Sequence, residues 1–510
     1  MKNYLLGIDV GTQSLRVGIF DLQGKSLAFS SKSYETYYPH VSWAEQNPMD
    51  WWACAKVCTR EVLKKADISP DDIAGISIDT FSCTVLPVDE NGTPLHNAVI
   101  WMDIRAVKEA EEITATGHPY LKYAGDWVSP EWMIPKALWF KRHKPDIYKK
   151  SAKFIECTDW MTYKLTGKWT LSLDHIASKW NYVKSEGGFP QDLMEKVGLE
   201  DLMEKWPKEI KALGEYVGGL TKQAAEELGL KEGTPVAQGG IDAHLGMIGL
   251  GAVETGDMAL IMGSSTCHMA LSPIPVFGSG VWGPFDEAII PGNWVLEGGQ
   301  TSTGSIVKWF KDNFAYKEEM EAQEKSVSVY KLLDEKASQI PPGSEGLVLL
   351  DYFQGNRSPL RDPKARGAIW GLGLKHRGEH ILRAIYEGTA YGTRLILEAL
   401  KEKNFTVEKI YAGGGGAQSK LWLKIHADVC QTPIILTEDT ESMALGAAMC
   451  AAVGAGIYKD FKEAAKNMVK VKTKIMPDLA NKDAYDFYFD KYKRTYEHLK
   501  DLMHEMYERA

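Results

Sequence analysis

Runs of apolar positions, and the short polar breaks between them, divide the chain into two halves that begin alike. Tyr4 to Val10 and Leu15 to Phe20 are β-prone runs separated only by Gly11-Thr12-Gln13-Ser14. That break is too short for a helical crossover, so the pattern predicts a β-hairpin with a polar tip. Leu27 to Tyr37 reads as a third antiparallel strand, and Asn47 is placed to cap a helix over Pro48 to Lys65. Ile73 to Ile78, ending at Asp79, and Val85 to Val88 read as two further strands. Three strands, a helix and two strands is the order of a ribonuclease H-like core. Around residue 252 the pattern restarts: Asp257 to Met262, a small polar turn Gly263-Ser264-Ser265-Thr266, and a returning run Cys267 to Leu271. The repeat predicts an α/β protein of two ribonuclease H-like domains, residues 1–252 and 253–510, with two hairpin tips facing each other across a central cleft.

The second half carries two more breaks that point to a ligand. Glu297 to Gly304 precedes a helix predicted over Ser305 to Phe314, which puts Gly304 at a helix N-terminus. Lys409 to Ala412 is a strand opening into Gly413, Gly414, Gly415, Gly416, Ala417 and Gln418, followed by a helix over Lys420 to Val429. Consecutive glycines between strand and helix form a seat for a flat or charged ligand. Asp351 to Gly367 is a long turn-rich stretch inside an otherwise regular pattern, and such loops are more often functional than not. Residues 129–167 are mostly helical, and His380 to Lys401 is a strongly amphipathic helix.

Composition narrows the classes. A 510-residue chain with 44% apolar and 25% charged residues has room for two cores. A formal charge of -9 argues against nucleic-acid or anionic-membrane partners. No apolar run approaches the ~20 residues needed to span a bilayer. The N-terminus reaches Asp9 too early for a signal peptide, so a cytoplasmic protein is expected. Its seven scattered cysteines, without a CxxC pair, read as reduced and mostly buried thiols.

Several polar residues stand where chemistry could be done. Asp9 ends the first strand, and a carboxylate in an apolar run is costly unless something pairs with it. A hydrated Mg²⁺ on nucleotide phosphates is one partner; turn amides of an ordinary hairpin are another. Trp101, Asp103 and Arg105 offer an aromatic face, an acceptor and a donor for a polyol, or else a helix-terminal acid with a structural salt bridge. Lys179, in a polar and aromatic mixture, could contact a hydroxyl. Asp242 follows Gly239-Gly240-Ile241 and opens a small-residue helix, so it is either a plain cap or a general base whose pKa the helix end holds low.

Together these segments resemble the FGGY family of carbohydrate kinases, within the sugar kinase, Hsp70 and actin fold group, from residue 4 to about 470. The resemblance implies ATP and Mg²⁺. Phosphates would lie on Gly11, Thr12, Gln13, Ser14 and Arg16 from one tip, and on Gly263, Ser264, Ser265, Thr266 and Gly304 from the other. Adenosine would lie on Gly413 to Gln418, the metal near Asp9, and the catalytic base would be Asp242. Gly263-Ser-Ser-Thr-Cys-His-Met269, Gly280 to Pro284, Glu297 to Gln300 and Ile241-Asp242-Ala243-His244 look like the ribulokinase branch. By that likeness Lys179, Asp242 and Glu297 would contact a pentulose, with Ser82, Trp101 and Asp103 nearby. Phe81-Ser82 stands where glycerol kinases carry an Arg-Glu pair. The family's first signature fits Lys136 to Trp139 but departs at Glu131 and Met133. The expected partners are ATP and a small sugar, with no nucleic acid and no membrane, and a homodimer is compatible with the sequence. Xylulose, erythritol or another polyol are alternative substrates, and an actin- or Hsp70-like ATPase with a protein partner is an alternative class.

Overall fold

The computed structural model describes residues 3–278, 280–438 and 441–509. The opening hairpin forms as its pattern predicts: β1 (Tyr4–Val10) and β2 (Ser14–Asp21) pair antiparallel, with Val10 opposite Leu15. β3 (Ser26–Ser33) continues the meander and stops short of the predicted Tyr37. Asn47 caps α1 (Pro48–Ala66) by accepting from Met49 N. β4 (Ile73–Thr80) then returns parallel to β1, which sets Asp9 beside Asp79.

The next strand of this sheet is not Val85 to Val88. Leu86–Val88 pairs instead with Lys153–Ile155 in a separate two-stranded ribbon. The place beside β4 goes to β6 (Pro235–Ala237), with β5 (Tyr216–Gly219) antiparallel at the sheet edge. The pairing partner comes from more than 150 residues downstream, so no local pattern could choose it. The helices α2 (Leu173–Lys179) and α3 (Asp242–Gly249) flank this return.

The second sheet repeats the plan. β7 (Asp257–Met262) and β8 (Thr266–Ser272) form the hairpin, and β9 (Trp282–Asp286) and β10 (Trp294–Gln300) extend it. After α4 (Gly304–Phe314) and α5 (Gly378–Lys401), β11 (Lys409–Gly413) lies parallel to β7 as β4 lies parallel to β1. α6 (Lys420–Cys430), β12 (Ile434–Thr437), α7 (Ser442–Gly454) and the edge strand β13 (Val471–Ile475) follow. The strand orders are β5-β6-β4-β1-β2-β3 and β9-β10-β8-β7-β11-β12-β13. In both, a meander is followed by two parallel strands and an antiparallel edge, which is the two-lobed α/β architecture expected.

The lobes meet through α3 and α7, which cross backbone to backbone. A Cβ on Gly249 would stand 1.9 Å from Ser442 O, and one on Gly446 would stand 1.9 Å from Leu245 O. Small residues are therefore obligatory at this crossing. It holds the start of α3, and with it Asp242, at the seam between the two sheets. No helix among the described residues is long and apolar enough to cross a membrane.

Candidate active site

Each hairpin leaves its tip open. Gly11 N donates to Ser14 O at 3.0 Å, closing the first turn while Gln13 stays exposed and Thr12 and Ser14 half-buried. The second turn closes in the same way, Gly263 N donating to Ser265 O at 2.8 Å, with Gly263, Ser264 and Ser265 exposed. The start of α4 seats on this turn. Thr303 N and Ser305 N both donate to Ser264 O at 3.0 Å, and a Cβ on Gly304 would stand 2.3 Å from Gly263 O. Gly304 thus brings a helix N-terminus against an exposed polar turn, an arrangement suited to anions. Gly413 ends β11, and Gly415 to Gln418 form a single turn before α6, with Gly414, Gly415 and Gln418 exposed. Ser419 caps α6 by accepting from Trp422 N at 3.0 Å. Arg16 is the ladder partner of Asp9 and forms an ion pair with Glu441, just before α7.

Beside the first tip lies a cavity of about 410 Å³. Thr12, Ser82, Trp101, Lys179, Asp242 and Glu297 all line it, so five of the six residues expected at the sugar converge there with one tip residue. Trp101 is 40% exposed, and its indole N–H donates to Thr12 Oγ1 at 3.0 Å, linking the aromatic wall to the hairpin tip. Lys179, at the end of α2, and Glu297, on β10, form an ion pair of 3.0 Å between the two halves of the chain. A relay stands behind it: Asp174 Oδ1 meets His244 Nδ1 at 2.5 Å, and His244 Nε2 is 3.9 Å from Glu297 Oε2. Burial works against a charge on His244, but Asp174 outweighs it and lifts the pKa to about 9. Burial would raise Glu297, yet Lys179 and His244 hold it well below the usual carboxylate range. Asp174, His244, Glu297 and Lys179 therefore form a row of alternating charges that ends in this wall of the cavity.

Asp103 does not belong to that wall. It is fully buried, with Oδ2 accepting from Ala44 N at 2.7 Å and both oxygens accepting from Arg105 at 2.6–2.9 Å. Arg105 in turn lies over the Trp43 ring at 3.8 Å. The acid and guanidinium pair with each other and the acid ties down the strand before α1, so of the three predicted polyol groups only Trp101 reaches the cavity. Trp132 is both core and cavity wall.

Asp242 corrects a second expectation. It stands in the first turn of α3, and Oδ1 accepts from Ala243 N at 2.6 Å. The helix end does not hold its pKa low. Burial and the nearby Asp9 charge raise it to about 7, with Ala243 N–H and His244 pulling the other way. Asp9 is itself raised, chiefly by burial, and Asp79 is raised well above the ordinary value by burial and by Asp9. Both Asp79 oxygens are buried without a hydrogen-bond partner. Crowded carboxyls with orphaned oxygens suit a hard divalent cation. No three described His, Cys, Asp or Glu side chains are arranged to close round a bare ion. Such an ion would therefore keep much of its own water, as Mg²⁺ does.

Glu131, Trp127, Trp282 and Arg357 also line the cavity. Arg357 lies in the turn-rich stretch singled out between Asp351 and Gly367. Asp79 carried the same signal as Asp9, an acid at the end of an apolar strand. Asp174 and His244 carried none.

Matched polar tips, a glycine seat and a polar, aromatic cavity are the parts of a phosphotransferase acting on small hydroxyl compounds. The models of the FGGY family of carbohydrate kinases match the chain over residues 4–249 (N-terminal domain) and 258–455 (C-terminal domain). A ribulokinase of Geobacillus thermodenitrificans is 36% identical, over 98% of this chain and 94% of that protein. The human FGGY carbohydrate kinase domain-containing protein is 32% identical, over 98% of both chains. Among solved structures, a xylulose kinase from Rhodospirillum rubrum superposes with a TM-score of 0.87 at 26% identity, over 98% of this chain and 100% of that one. The chain belongs to the FGGY family of carbohydrate kinases, and is an ATP-dependent sugar kinase with the two-domain fold of that group.

Proposed function

We propose that the chain phosphorylates a pentulose, ribulose before others, at a terminal hydroxyl, with Asp242 as general base. The observation that carries the mechanism is the placement of Asp242, which lines the sugar cavity while lying close enough to Asp9 to feel its charge. Names among the relatives favour ribulose, and Glu297 and Lys179, backed by His244 and Asp174, supply an acceptor and a donor for its hydroxyls.

Phosphoryl transfer needs alignment and charge neutralisation more than covalent chemistry. Bound MgATP supplies the phosphoryl group and the cation that neutralises its charge. The chain's own residues do the rest. Gly11 to Ser14 and Gly263 to Thr266 bring backbone amides and hydroxyls to the phosphates, with Gly304 behind them. Gly413 to Gln418 seat the adenosine. Asp9, with Asp79 beside it, would hold a divalent cation such as Mg²⁺. Lys179 and Glu297 orient the sugar, and Trp101 covers one of its faces. Asp242 takes the proton of the attacking hydroxyl; a carboxyl raised to about 7 is a better acceptor than an ordinary one and still ionises at neutral pH. We assign the sugar and phosphate side to residues 1–252 and the nucleotide side to residues 253–510, with Glu297 reaching the sugar from the second half.

A coupled ADP-release screen over D- and L-ribulose, both xyluloses, erythritol and ribitol tests this reading. Ribulose is expected to give the highest kcat/KM. Equal or better turnover of a xylulose would move the assignment within the family, and ADP release indifferent to every sugar would overturn it.

A further inference from the structure

The cavity holds two charged side chains with no partner. Glu131 N donates to Ser129 Oγ at 3.4 Å, but its carboxylate accepts no hydrogen bond and meets no cation within ion-pair distance among the described residues. Opposite, Arg357 projects from the long loop of the second half, its guanidinium 5.1 Å from the Trp282 ring, and donates to no described residue. Lys179 and Glu297 behave differently, since they already satisfy each other at 3.0 Å. Burial raises the pKa of Glu131, and Lys136, Lys179 and Arg357 act against that rise. A carboxylate kept largely out of water without a donor is costly, unless a ligand supplies one.

Position within the cavity follows from the neighbours. The strongest charges acting on Glu131 are Lys136, Lys179, Arg357 and Glu297. Those acting on Asp242 are Asp9, His244 and Asp174. Glu131 and Asp242 both line the cavity, and neither is among the strongest charges acting on the other, so the two carboxyls face different parts of a bound sugar. Glu131 is also where the chain departs from the family's first signature, so the family pattern assigns it no role.

We propose that Glu131 is a specificity residue: its carboxylate accepts from sugar hydroxyls at the end remote from the one Asp242 deprotonates, and Arg357 donates to the same end from the opposite lobe. The pair selects a neutral polyhydroxy chain. A sugar acid presenting a carboxylate there would meet Glu131 with like charge. This role rests on the reading of the chain as a sugar kinase with Asp242 as its base.

The test uses the full-length enzyme, wild type, Glu131→Gln and Glu131→Ala. Steady-state rates are measured with the best sugar of the screen and with its deoxy analogue lacking the terminal hydroxyl that is not phosphorylated. Hydrogen bonds to a charged group are worth about 1.5–3 kcal/mol, or roughly 10- to 100-fold. Glu131→Ala is expected to raise the sugar KM by about that factor and leave the ATP KM unchanged. The penalty for the deoxy analogue should shrink toward unity in Glu131→Ala, because the group that missed the hydroxyl is gone. Glu131→Gln, which can still accept, should fall between. A merely structural role would not change the deoxy penalty. An unchanged sugar KM and deoxy penalty in both variants overturns the role while leaving the kinase reading intact. Wild-type enzyme that turns over no sugar overturns both.

Discussion

Asp242→Asn should stabilise the folded protein, and more so as pH rises. In the folded chain Asp242 titrates near 7 instead of the ordinary 3.8, raised by burial first and Asp9 second. A raised carboxyl means that the folded state keeps a proton which the unfolded state releases. Its cost is absent below the unfolded value, grows as pH climbs from about 4, and is complete above about 7. At about 1.4 kcal/mol per tenfold change in proton affinity, the full cost has an upper bound of ~4 kcal/mol. Asp242 is only half-buried and opens onto the cavity, so solvent screening reduces this to about 1–2 kcal/mol. Asparagine keeps an acceptor for Ala243 N–H and cannot ionise. For a lobe of about 250 residues, that corresponds to a rise in transition temperature of roughly 2–8 °C. Thermal melts of wild type and Asp242→Asn at pH 5 and pH 8 measure it, the gap at pH 8 being expected at roughly twice that at pH 5 or more. A gap independent of pH, or an asparagine variant that melts lower at pH 8, would refute the reasoning.

Three further outcomes follow from the geometry. Asp9→Asn should raise the Mg²⁺ concentration needed for half-maximal activity and lower kcat, leaving the sugar KM alone; a wild-type Mg²⁺ titration would make Asp9 a structural turn acid. Glu297→Ala and Lys179→Ala should each raise the sugar KM and flatten discrimination between epimers with ATP binding unchanged, because each strands the other's buried charge. Unchanged epimer ratios in both would remove this pair from the sugar wall. Gly249→Ala places a methyl 1.9 Å from Ser442 O, so it should cost about 1–3 kcal/mol or more in urea unfolding, whereas a neutral substitution would mean that the crossing of α3 and α7 is loosely packed.

What could be read in the sequence was local, and what could not was decided by partners far along the chain. Both hairpins, α1 with its Asn47 cap, the glycine seat before α6 and the start of α3 follow from apolar periodicity and from turn chemistry within a dozen residues. The strand beside β4 did not, because Leu86–Val88 and Pro235–Ala237 are equally short and apolar, and only tertiary pairing separates them. Trp101, Asp103 and Arg105 carry the same local chemistry whether they bind a polyol or brace a loop. Ala44 N and the Trp43 ring, some sixty residues earlier, claim Asp103 and Arg105 and leave Trp101 alone to the cavity. The raised pKa of Asp242 is not legible in sequence, because the helix end is visible there whereas burial and the approach of Asp9 are not. Glu131 and Arg357 come from separate loops more than 200 residues apart, and nothing short of the assembled cavity joins them.

The central claim, that a sugar hydroxyl gives its proton to Asp242 in this cleft, is tested most directly by the turnover of Asp242→Asn with the best sugar of the screen, alongside nucleotide affinity measured on the same preparation. General-base assistance contributes about 10²- to 10⁴-fold, so kcat is expected to fall by at least ~10² while ATP affinity stays at the wild-type value. In wild type, kcat/KM for the sugar should rise with pH through about 7 as the carboxyl ionises. An asparagine variant that keeps near wild-type kcat would contradict the account.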